Sequence, residues 1–447
     1  MGEKILVIED DQAIAEYAVL VLEKESFQVE KALDGKEGLE LAREFMPDLV
    51  VLDLMMPGMH GYEVCQHLRQ DEKLRDVRIL ITSTKSYDAD VAGASGAGAN
   101  AYLTKPYTAQ RLVEEVKNLL AQKPSCGKVA GNGSADEPDV KTEVVSGAAE
   151  PKTAGVKPEN SAVCIRFWGT RGSTPAPGPF TIRYGGNTSC TEMRFGDNLF
   201  VVDCGTGLRE LGVKLVDEFK ERSIEGHLFV GHTHWDHIQG FPFFTPFYIP
   251  KNNFRLYSVR GAGKSLERVF RGQMAADYFP VPLRSLASGL TFVELEEPVD
   301  IGGVKVSYQH LNHPGVAIGF RFEYQGRIVS YISDHETFSR LSGVCEMTLK
   351  QDRSIADFAR GSDLMICEAQ YTEEEYKVKK GWGHSTFNDA VDRAIAADVK
   401  HLVLFHHDPL HTDEMMDRYL AACRRRLQDA GSAIECSAAQ EMQTINL

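Results

Sequence analysis

The stretch Phe229-Val-Gly-His-Thr-His-Trp-Asp-His-Ile-Gln-Gly240 decides the fold of the larger part of the chain. Four metal-capable side chains fall within six residues, namely His232, His234, Asp236 and His237. The apolar run before them indicates a buried strand and the glycine after them a turn, so they lie on a loop at a strand end. Imidazoles at alternate positions can converge on one ion, while the following Asp and His turn toward a second. The stretch therefore predicts a two-metal site.

The composition is that of a globular protein with more than one domain. The chain has 447 residues, of which 43% are hydrophobic and 25% charged, so two or three domains are expected. No signal peptide and no apolar run of membrane-spanning length is present, which predicts a cytoplasmic protein without a membrane partner. Nine cysteines without a Cys-x-x-Cys pair indicate reduced thiols. The net charge of −15 disfavours polyanions, so no DNA partner is expected.

Residues 1 to 122 alternate apolar segments with helix-period stretches. Four segments read as strands: Lys4–Ile8, Asp48–Asp53, Arg78–Thr82 and Ala101–Thr104. This alternation predicts a doubly wound parallel α/β sheet with its site at the carboxyl ends of the strands. Polar residues stand at those ends. The three carboxylates among them would repel each other unless a cation such as Mg²⁺ were bound, and a lysine opposite could pair with an added phosphoryl group.

This segment resembles a two-component response-regulator receiver domain of the (βα)5 type over its whole length. The resemblance implies Asp53 as the phospho-acceptor and a cognate sensor histidine kinase as the partner. It implies a Mg²⁺ site formed by Glu9, Asp10, Asp53 and the Met55 backbone, and switch residues Thr82, Tyr102 and Lys105. Glu9 stands where Asp is commoner. Phosphorylation would rearrange the face that includes Tyr102 and alter dimer contacts, so a homodimer is expected.

Residues 123 to 162 differ in composition from the segments on either side. They are rich in Gly, Ser, Ala, Pro and charged residues and poor in aromatics. Such a segment buries too little apolar surface to order itself, so we expect a flexible linker. Any signal should then travel through docking or dimerisation.

Residues 163 to 447 contain strands that run into glycine turns, as in Leu199-Phe-Val-Val-Asp-Cys-Gly-Thr-Gly207. Three further polar residues stand where apolar strands stop: His313, Asp334 and His406. Together with the His232–His237 stretch, this segment resembles the metallo-β-lactamase superfamily from about Arg166 to Asp408. The resemblance implies an αββα sandwich.

The same resemblance implies how the ligands divide between the two metals. One metal would be held by His232, His234, His313 and Asp334, and the other by Asp236, His237, Asp334 and His406. His310 and His407 lie close to two of these positions and are alternatives to them. Histidine and carboxylate ligands suit Zn²⁺, and Mn²⁺ or Fe is compatible.

The stretch Gly381-Trp-Gly-His-Ser-Thr386 is similar to the ribonuclease Z and phosphodiesterase branch of that superfamily. In that branch the histidine is a proton donor or phosphate contact, which implies a catalytic role for His384. The alternative is a histidine at a helix start, capped by Ser385. Asp236 is the second catalytic candidate, since it can orient or accept the proton of the nucleophile.

Substrate contacts are less well defined. Arg171, Arg183 and Asn187 sit on glycine-rich loops that could approach phosphate or simply form turns. Aromatic residues in Phe241–Tyr248, with Tyr278, Phe279 and Trp382, could stack bases or form a hydrophobic dimer surface. The acidic balance and the lack of a recognisable tRNA-binding arm favour a small nucleotide over a large RNA.

These observations lead to one main hypothesis and two alternatives. The main hypothesis is a response regulator whose output domain is a dinuclear-metal phosphodiesterase, controlled by phosphorylation of Asp53. Its substrate would be a cyclic nucleotide or cyclic dinucleotide such as cAMP or cyclic di-GMP. The alternatives are a ribonuclease Z-like RNA nuclease and a metal-containing ligand sensor without turnover.

Overall fold

The computed structural model describes residues 3–56, 59–83, 94, 96–105, 107–121, 142–145, 163–261 and 264–447. The chain divides into two compact units, and the second begins at Asp139. The predicted linker lies outside the described residues except for Thr142–Val145. Among the described residues no helix is long and apolar enough to cross a membrane.

The first unit is built on a parallel sheet in the order β2-β1-β3-β4-β5. Its strands are β1 (Lys4–Ile8), β2 (Gln28–Ala32), β3 (Leu49–Asp53), β4 (Arg78–Ser83) and β5 (Ala101–Thr104). The helices described here are Gln12–Lys24, Gly35–Phe45, Gly61–Gln70 and Ala109–Ala121. Every residue of β3 is buried, as expected for a central strand covered on both faces. The predicted doubly wound parallel sheet is confirmed.

Helix starts in this unit follow from local capping. The Asp11 carboxylate accepts hydrogen bonds from the backbone N–H groups of Ala13 and Ile14, and Asp34 accepts one from Glu37. These caps satisfy N–H groups that have no partner within the helix. Because Asp11 follows β1 directly, its cap fixes how the chain leaves the sheet edge that carries Glu9 and Asp10.

The second unit contains two mixed sheets packed face to face. The first sheet has the order β20-β7-β8-β9-β10-β11-β12-β6 and the second the order β13-β14-β15-β16-β17-β18-β19. The first sheet consists of β6 (Thr142–Val145), β7 (Val163–Gly169), β8 (Cys190–Phe195), β9 (Asn198–Val202), β10 (Glu225–Phe229), β11 (Asn253–Ser258), β12 (Gly289–Leu295) and β20 (Thr444–Asn446). The second consists of β13 (Val299–Ile301), β14 (Val304–His310), β15 (Ile318–Tyr324), β16 (Arg327–Ile332), β17 (Leu364–Glu368), β18 (His401–Phe405) and β19 (Glu435–Ala438).

A dense aromatic core lies between these sheets. The rings of Phe200 and Phe229 from the first sheet stack with centroids 5.7 Å apart, and Phe322 from the second meets them edge-on at 5.9 and 5.4 Å. Aromatic pairs of this kind hold two sheet faces in one relative position. The ends of β9, β10, β16 and β18 are thereby brought to one edge of the sandwich.

Helices cover the outer faces. The α-helices of this unit are Gly207–Phe219, Trp235–Ile238, Leu266–Gln273, Phe338–Ser342, Glu346–Phe358, Glu373–Lys379, Phe387–Ala397 and Asp413–Asp429, and three 3₁₀ turns span Phe241–Phe243, Thr245–Tyr248 and Leu283–Ser285. Leu208, Leu211 and Leu215 bury the first of these helices against the first sheet. The helices that follow β17 and β18 pack on the second sheet. The predicted αββα sandwich is confirmed.

The described part of the predicted linker is a strand. Backbone of Thr142–Val145 pairs in parallel with Phe292–Leu295 of β12 and forms the edge of the first sheet. An edge strand covers backbone N–H and C=O groups that would otherwise be exposed. Composition alone does not indicate this strand, because its pairing partner is about 150 residues away in the chain.

Candidate functional site

The first unit gathers acidic side chains and one lysine at the carboxyl edge of its sheet. Ligand oxygens of Glu9, Asp10 and Asp53 lie within 4.8 Å of one another. The Lys105 Nζ atom lies 2.6 Å from Glu9 Oε2 and 3.0 Å from Asp53 Oδ1. These residues follow β1, β3 and β5, so the parallel topology brings them together. The arrangement suits one oxygen-liganded divalent cation beside a phospho-acceptor.

The protonation of this cluster follows from burial and crowding of charge. Burial raises the pKa of Glu9 to about 8, assisted by the charge of Asp53. Burial by itself lowers the pKa of Lys105, but Asp53 and Glu9 outweigh it and raise that pKa above its usual value. The lysine is therefore charged, and Glu9 takes up a proton far more readily than a free carboxyl does. A cation bound by the carboxylates takes the place of that proton.

The other predicted residues of this site lie on the strands of the sheet or just after them. Thr82 is buried at the end of β4, and its hydroxyl lies 3.5 Å from the Leu52 carbonyl oxygen. Tyr102 is half-buried on β5, and Met55 is half-buried after β3. Their roles in switching and Mg²⁺ binding stay predictions.

Binding of Mg²⁺ to the first unit should depend on pH. Because Glu9 has a pKa of about 8 instead of 4.5, the apparent Mg²⁺ affinity is expected to fall about tenfold for each pH unit below 8. The same raised pKa stabilises the fold at low pH and this contribution is lost as the pH rises through 8. Calorimetric titration with Mg²⁺ between pH 6 and 9 measures the first effect. The Glu9→Gln variant, which has no carboxyl group at position 9, should lack this dependence, and a wild-type affinity that is flat over this range would contradict the assignment.

In the second unit the His232–His237 stretch joins residues from the ends of three distant strands. Ligand atoms of His232, His234 and His313 form one group, and those of Asp236, His237, Asp334 and His406 form another, each within 4.8 Å. We call these the first and second metal sites. His313 follows β14, Asp334 follows β16 and His406 follows β18. All seven predicted ligands are thus brought together.

One carboxylate faces both sites. Asp334 Oδ2 lies 3.5 Å from His232 Nε2 and 3.6 Å from His313 Nε2. Its other oxygen, Oδ1, lies 3.1 Å from His237 Nε2 and 3.3 Å from His406 Nε2. A carboxylate that offers one oxygen to each of two nitrogen clusters has the geometry of a bridge between two metals.

The donor set fits divalent metals. Among the described residues neither ring nitrogen of the buried His232 has a hydrogen-bond partner. Burial lowers the pKa of His232 and of His313 well below the usual range, so both rings are neutral. Neutral imidazoles are the form of histidine that binds metal ions. These residues therefore form clusters able to hold divalent metals.

The second site carries more negative charge. Burial alone raises the pKa of Asp334, but the rings of His406 and His237 lower it well below its usual range. Burial alone lowers the pKa of His237, but Asp334, Asp236 and Asp203 raise it well above its usual range. The raised pKa of His237 shows that the surrounding carboxylates stabilise a positive charge at this position. They would stabilise a bound metal ion for the same reason.

A second layer of residues fixes the ligand rings. His237 Nδ1 lies 2.8 Å from Asp203 Oδ2, and that carboxylate also accepts hydrogen bonds from Gly231 N–H and the Tyr331 hydroxyl. His406 Nδ1 lies 3.0 Å from Gln370 Oε1, and His313 Nδ1 lies 2.8 Å from Gly383 O. Such contacts orient the opposite nitrogen of each ring toward the metal.

Backbone conformation also shapes the second site. His406 adopts a left-handed φ of 60°, a backbone conformation that residues with a Cβ atom rarely adopt. A Cβ atom on Gly172 would lie 2.4 Å from this ring. Glycine at 172 is therefore required for close approach of the Arg171–Ser173 loop, whose Ser173 N–H donates to Asp236 Oδ2 at 2.7 Å.

The alternative histidines are excluded from the metal sites. His407 turns away and its Nε2 lies 2.9 Å from the Ala439 carbonyl oxygen. His310 is buried and belongs to neither ligand group among the described residues. His313 and His406, and not these two histidines, lie in the two ligand groups, and their role as ligands stays a prediction.

His384 lies at the junction of the two sites, and a ring nitrogen of it also groups within 4.8 Å with His313 and Asp334 and with Glu368 and His406. Its Nδ1 lies 3.9 Å from Asp334 Oδ2 and 3.8 Å from Glu368 Oε2. Burial lowers its pKa to about 4. Burial also raises the pKa of Glu368 well above its usual range, so Glu368 keeps a proton. The cap of the helix Phe387–Ala397 is Thr386, not Ser385, so the helix does not account for His384.

Five residues that position this site were missed from the sequence: Asp203, Tyr331, Glu336, Glu368 and Gln370. A usable signal existed for two of them. Asp203 and Glu368 are carboxylates at the ends of apolar strands, as Asp334 is. The others lie on segments whose composition gives no indication of a site.

The three predicted substrate contacts are occupied by other partners. The buried Arg171 guanidinium donates to the carbonyl oxygens of Gly185, Asp408 and His411. Arg183 Nη2 lies 2.6 Å from Asp417 Oδ2, and Asn187 Nδ2 lies 3.2 Å from Glu441 Oε2. This placement supports structural roles and leaves the predicted phosphate contacts without support.

Replacing Arg171 with alanine should therefore destabilise the second unit. The change leaves three backbone acceptors without their donor in a site that excludes water, which we expect to cost about 3 kcal/mol in free energy of unfolding. Arg183→Ala, at a half-exposed pair, should cost much less. Thermal and denaturant unfolding of both variants checks this. Equal stability of the two variants would show that the buried contacts contribute little.

Comparison with known proteins agrees with this division of the chain. Residues 5–117 match the response regulator receiver domain, and residues 198–407 match the beta-lactamase superfamily domain. RpaA of Synechocystis sp., a DNA-binding dual master transcriptional regulator, is 38% identical over 117 residues, which is 26% of this chain and 48% of that protein. The chain spans about half the length of the curated relatives it matches.

Solved structures similar to the second unit share little sequence with it. The metallo-β-lactamase fold protein YhfI from Bacillus subtilis is 16% identical, with 64% of this chain and 100% of that chain covered and a TM-score of 0.47. The short form of human tRNase Z is 19% identical, with 63% and 98% covered and a TM-score of 0.41.

The chain thus joins a response regulator receiver domain to a beta-lactamase superfamily domain.

Proposed function

We propose that the second domain is a dinuclear-metal phosphodiesterase acting on a cyclic nucleotide or cyclic dinucleotide, and that phosphorylation of Asp53 controls it. The observation that carries the proposal is the placement of Asp334, with one oxygen toward each cluster of nitrogen ligands. Zn²⁺ suits this set of histidines and carboxylates best, and Mn²⁺ or Fe is compatible.

Two bound metals would supply a hydroxide nucleophile at neutral pH and neutralise the oxygens of a phosphodiester. The protein's part is to orient the groups around them. Asp236 is held by Ser173 N–H at 2.7 Å and by His406 Nε2 at 3.1 Å, so its carboxylate points to one fixed position. From there it can accept the proton of the attacking oxygen.

His384 is placed to act on the leaving oxygen. With a pKa of about 4 in the absence of substrate, its ring is neutral. The negative charge of a bound phosphodiester raises the pKa of His384. The nearby Glu368 carboxyl keeps its proton, so it contributes no negative charge of its own. His384 can therefore gain a proton when substrate binds and give it to the leaving oxygen.

The acidic charge of the chain favours a small substrate. The chain carries a net charge of −15, and the two arginines and the asparagine on the loops beside the site are bound to other protein groups. A long RNA needs many cationic contacts along its backbone. A small nucleotide needs only the metals for its phosphate.

The test is turnover by the metal-loaded full chain. Protein loaded with Zn²⁺ or Mn²⁺ is incubated with cyclic mononucleotides, cyclic dinucleotides and short structured RNA. We expect ring opening of a cyclic nucleotide or dinucleotide, with RNA degraded far more slowly. Intact cyclic nucleotides with degraded RNA would instead establish a ribonuclease, and tight binding of a nucleotide without product would establish a ligand sensor.

A further inference from the structure

The chain has three tryptophans, and two of them are exposed beside the metal centre. Trp168 is 3% exposed and lies in the core, whereas Trp235 is 61% and Trp382 is 62% exposed. Leaving a large apolar ring in water forgoes the stabilisation that its burial would give. Folding stability therefore does not explain why two such rings are exposed beside one site.

Both indoles belong to segments that contact the same ligand. Trp235 follows His234, whose Nδ1 lies 3.0 Å from His313 Nε2. Trp382 precedes Gly383, whose carbonyl oxygen lies 2.8 Å from His313 Nδ1. The two tryptophans are therefore each one residue from a contact with the His313 ring, at the exposed side of the first metal site.

The turn that carries Trp382 is held rigidly with its indole outward. Gly381 and Gly383 on either side have positive φ values of 87° and 91°. Their N–H groups both donate to the buried carboxylate of Glu336, each at 2.9 Å. A Cβ atom on Gly383 would lie 2.3 Å from His313 Nδ1. The turn is thus fixed by one buried anion and two glycines, and it presents Trp382 to solvent.

The conformation of Trp235 is fixed by its neighbours in another way. His234 and Asp236 on either side both have ligand atoms in the metal sites, and Asp236 and His237 are buried. The backbone at Trp235 is therefore held on both sides by residues of the metal sites, and its indole is 61% exposed.

The surroundings of both rings suit a small ligand better than a protein. The exposed sequence neighbours are polar: Thr233 and His234 beside Trp235, and Lys380 beside Trp382. Protein interfaces need a contiguous apolar patch. Two separate planar rings beside the proposed metal centre match the flat faces of a nucleobase, which stacks on aromatic side chains.

We propose that Trp235 and Trp382 determine substrate specificity by stacking on the base of a nucleotide whose phosphate lies at the metals. This inference rests on the proposed function and goes further by assigning the base subsite. The base adds affinity without taking part in the reaction. Substrates with a base are thereby selected over simple phosphate esters.

Two ligands that differ only in the base test this. Dissociation constants of adenosine 5′-monophosphate and ribose 5-phosphate are measured by calorimetry on the metal-loaded full chain. In the wild type we expect the adenosine compound to bind about tenfold or more tightly. The ratio should fall in Trp235→Ala and in Trp382→Ala and approach one in the double variant. Trp382→Phe, which keeps an aromatic face, should retain most of the preference, and Val213→Ala, at another exposed apolar residue, should change nothing.

Several results would overturn the assignment. A wild-type ratio near one, or an unchanged ratio in the double variant, excludes stacking. A double variant that loses self-association in sedimentation experiments while keeping the ratio would show that the rings form a subunit contact instead. Turnover is measured separately: a chain that hydrolyses no phosphodiester but loses base preference in the variants refutes the hydrolase and keeps the base subsite.

Discussion

Replacing Asp334 with alanine is expected to lower phosphodiester hydrolysis by about a thousandfold or more. The change removes one oxygen from each metal site at once, and it leaves His232, His237, His313 and His406 without the anion between them. Bound metal should fall from two ions per chain to one or none. Metal analysis of the purified variant and initial rates with the substrate identified in the nucleotide panel measure both effects.

Asp363→Asn is a matched control for this variant. Asp363 is also a buried aspartate beside a strand of the second sheet, but its oxygens bind Lys400 and the Ile328 N–H. We expect normal metal content and activity within about twofold of the wild type, because the site is untouched. Two metals and undiminished turnover in Asp334→Ala would show that this carboxylate does not bridge the centre.

Replacing Asp53 with alanine is expected to abolish both phosphorylation and any response of the second domain to it. Asp53 is the carboxylate at the end of β3 that lies 3.0 Å from Lys105 and within the acidic cluster. A phosphoryl group on it would keep the lysine as its cationic partner. Incubation with acetyl phosphate and Mg²⁺ should label the wild type, change its rate of hydrolysis and do neither in the variant.

The control for Asp53 lies at the other end of the same strand. Asp48 accepts a hydrogen bond from the Lys4 N–H and has no contact with the acidic cluster among the described residues. Asp48→Ala should be labelled like the wild type. If labelled and unlabelled wild-type protein hydrolyse substrate at equal rates, the receiver does not regulate the second domain and the control hypothesis fails.

The parts of both sites that sequence reasoning reached share one property. Asp53, Asp334 and His406 each follow a strand segment whose last four residues are buried, so the pattern marks where a strand stops. In both folds the strand ends converge on one edge. The residue type and the fold together then predict the site, although the residues are far apart in the chain.

Other features depend on contacts that no local pattern encodes. The glycine-rich surroundings of Arg171 suggest a phosphate loop, but the side chain turns inward to three carbonyl groups supplied by distant segments. Trp382 is exposed because Glu336 binds the backbone of the turn around it, and Glu336 lies 45 residues before Gly381 in the chain. The pairing of Thr142–Val145 with β12 is equally non-local. Tertiary contacts decide such positions.

Asp203 connects the metal centre to the stability of the whole domain. Its carboxylate follows β9 of the first sheet, fixes His237, and accepts the hydroxyl of Tyr331 from β16 of the second sheet. A metal ion that binds His237 would therefore also stabilise the contact between the two sheets. Metal binding and folding of the domain are then linked equilibria, so the melting temperature of the domain should rise with the concentration of free metal. In a cell, the supply of metal would then set the amount of folded protein as well as its rate of turnover.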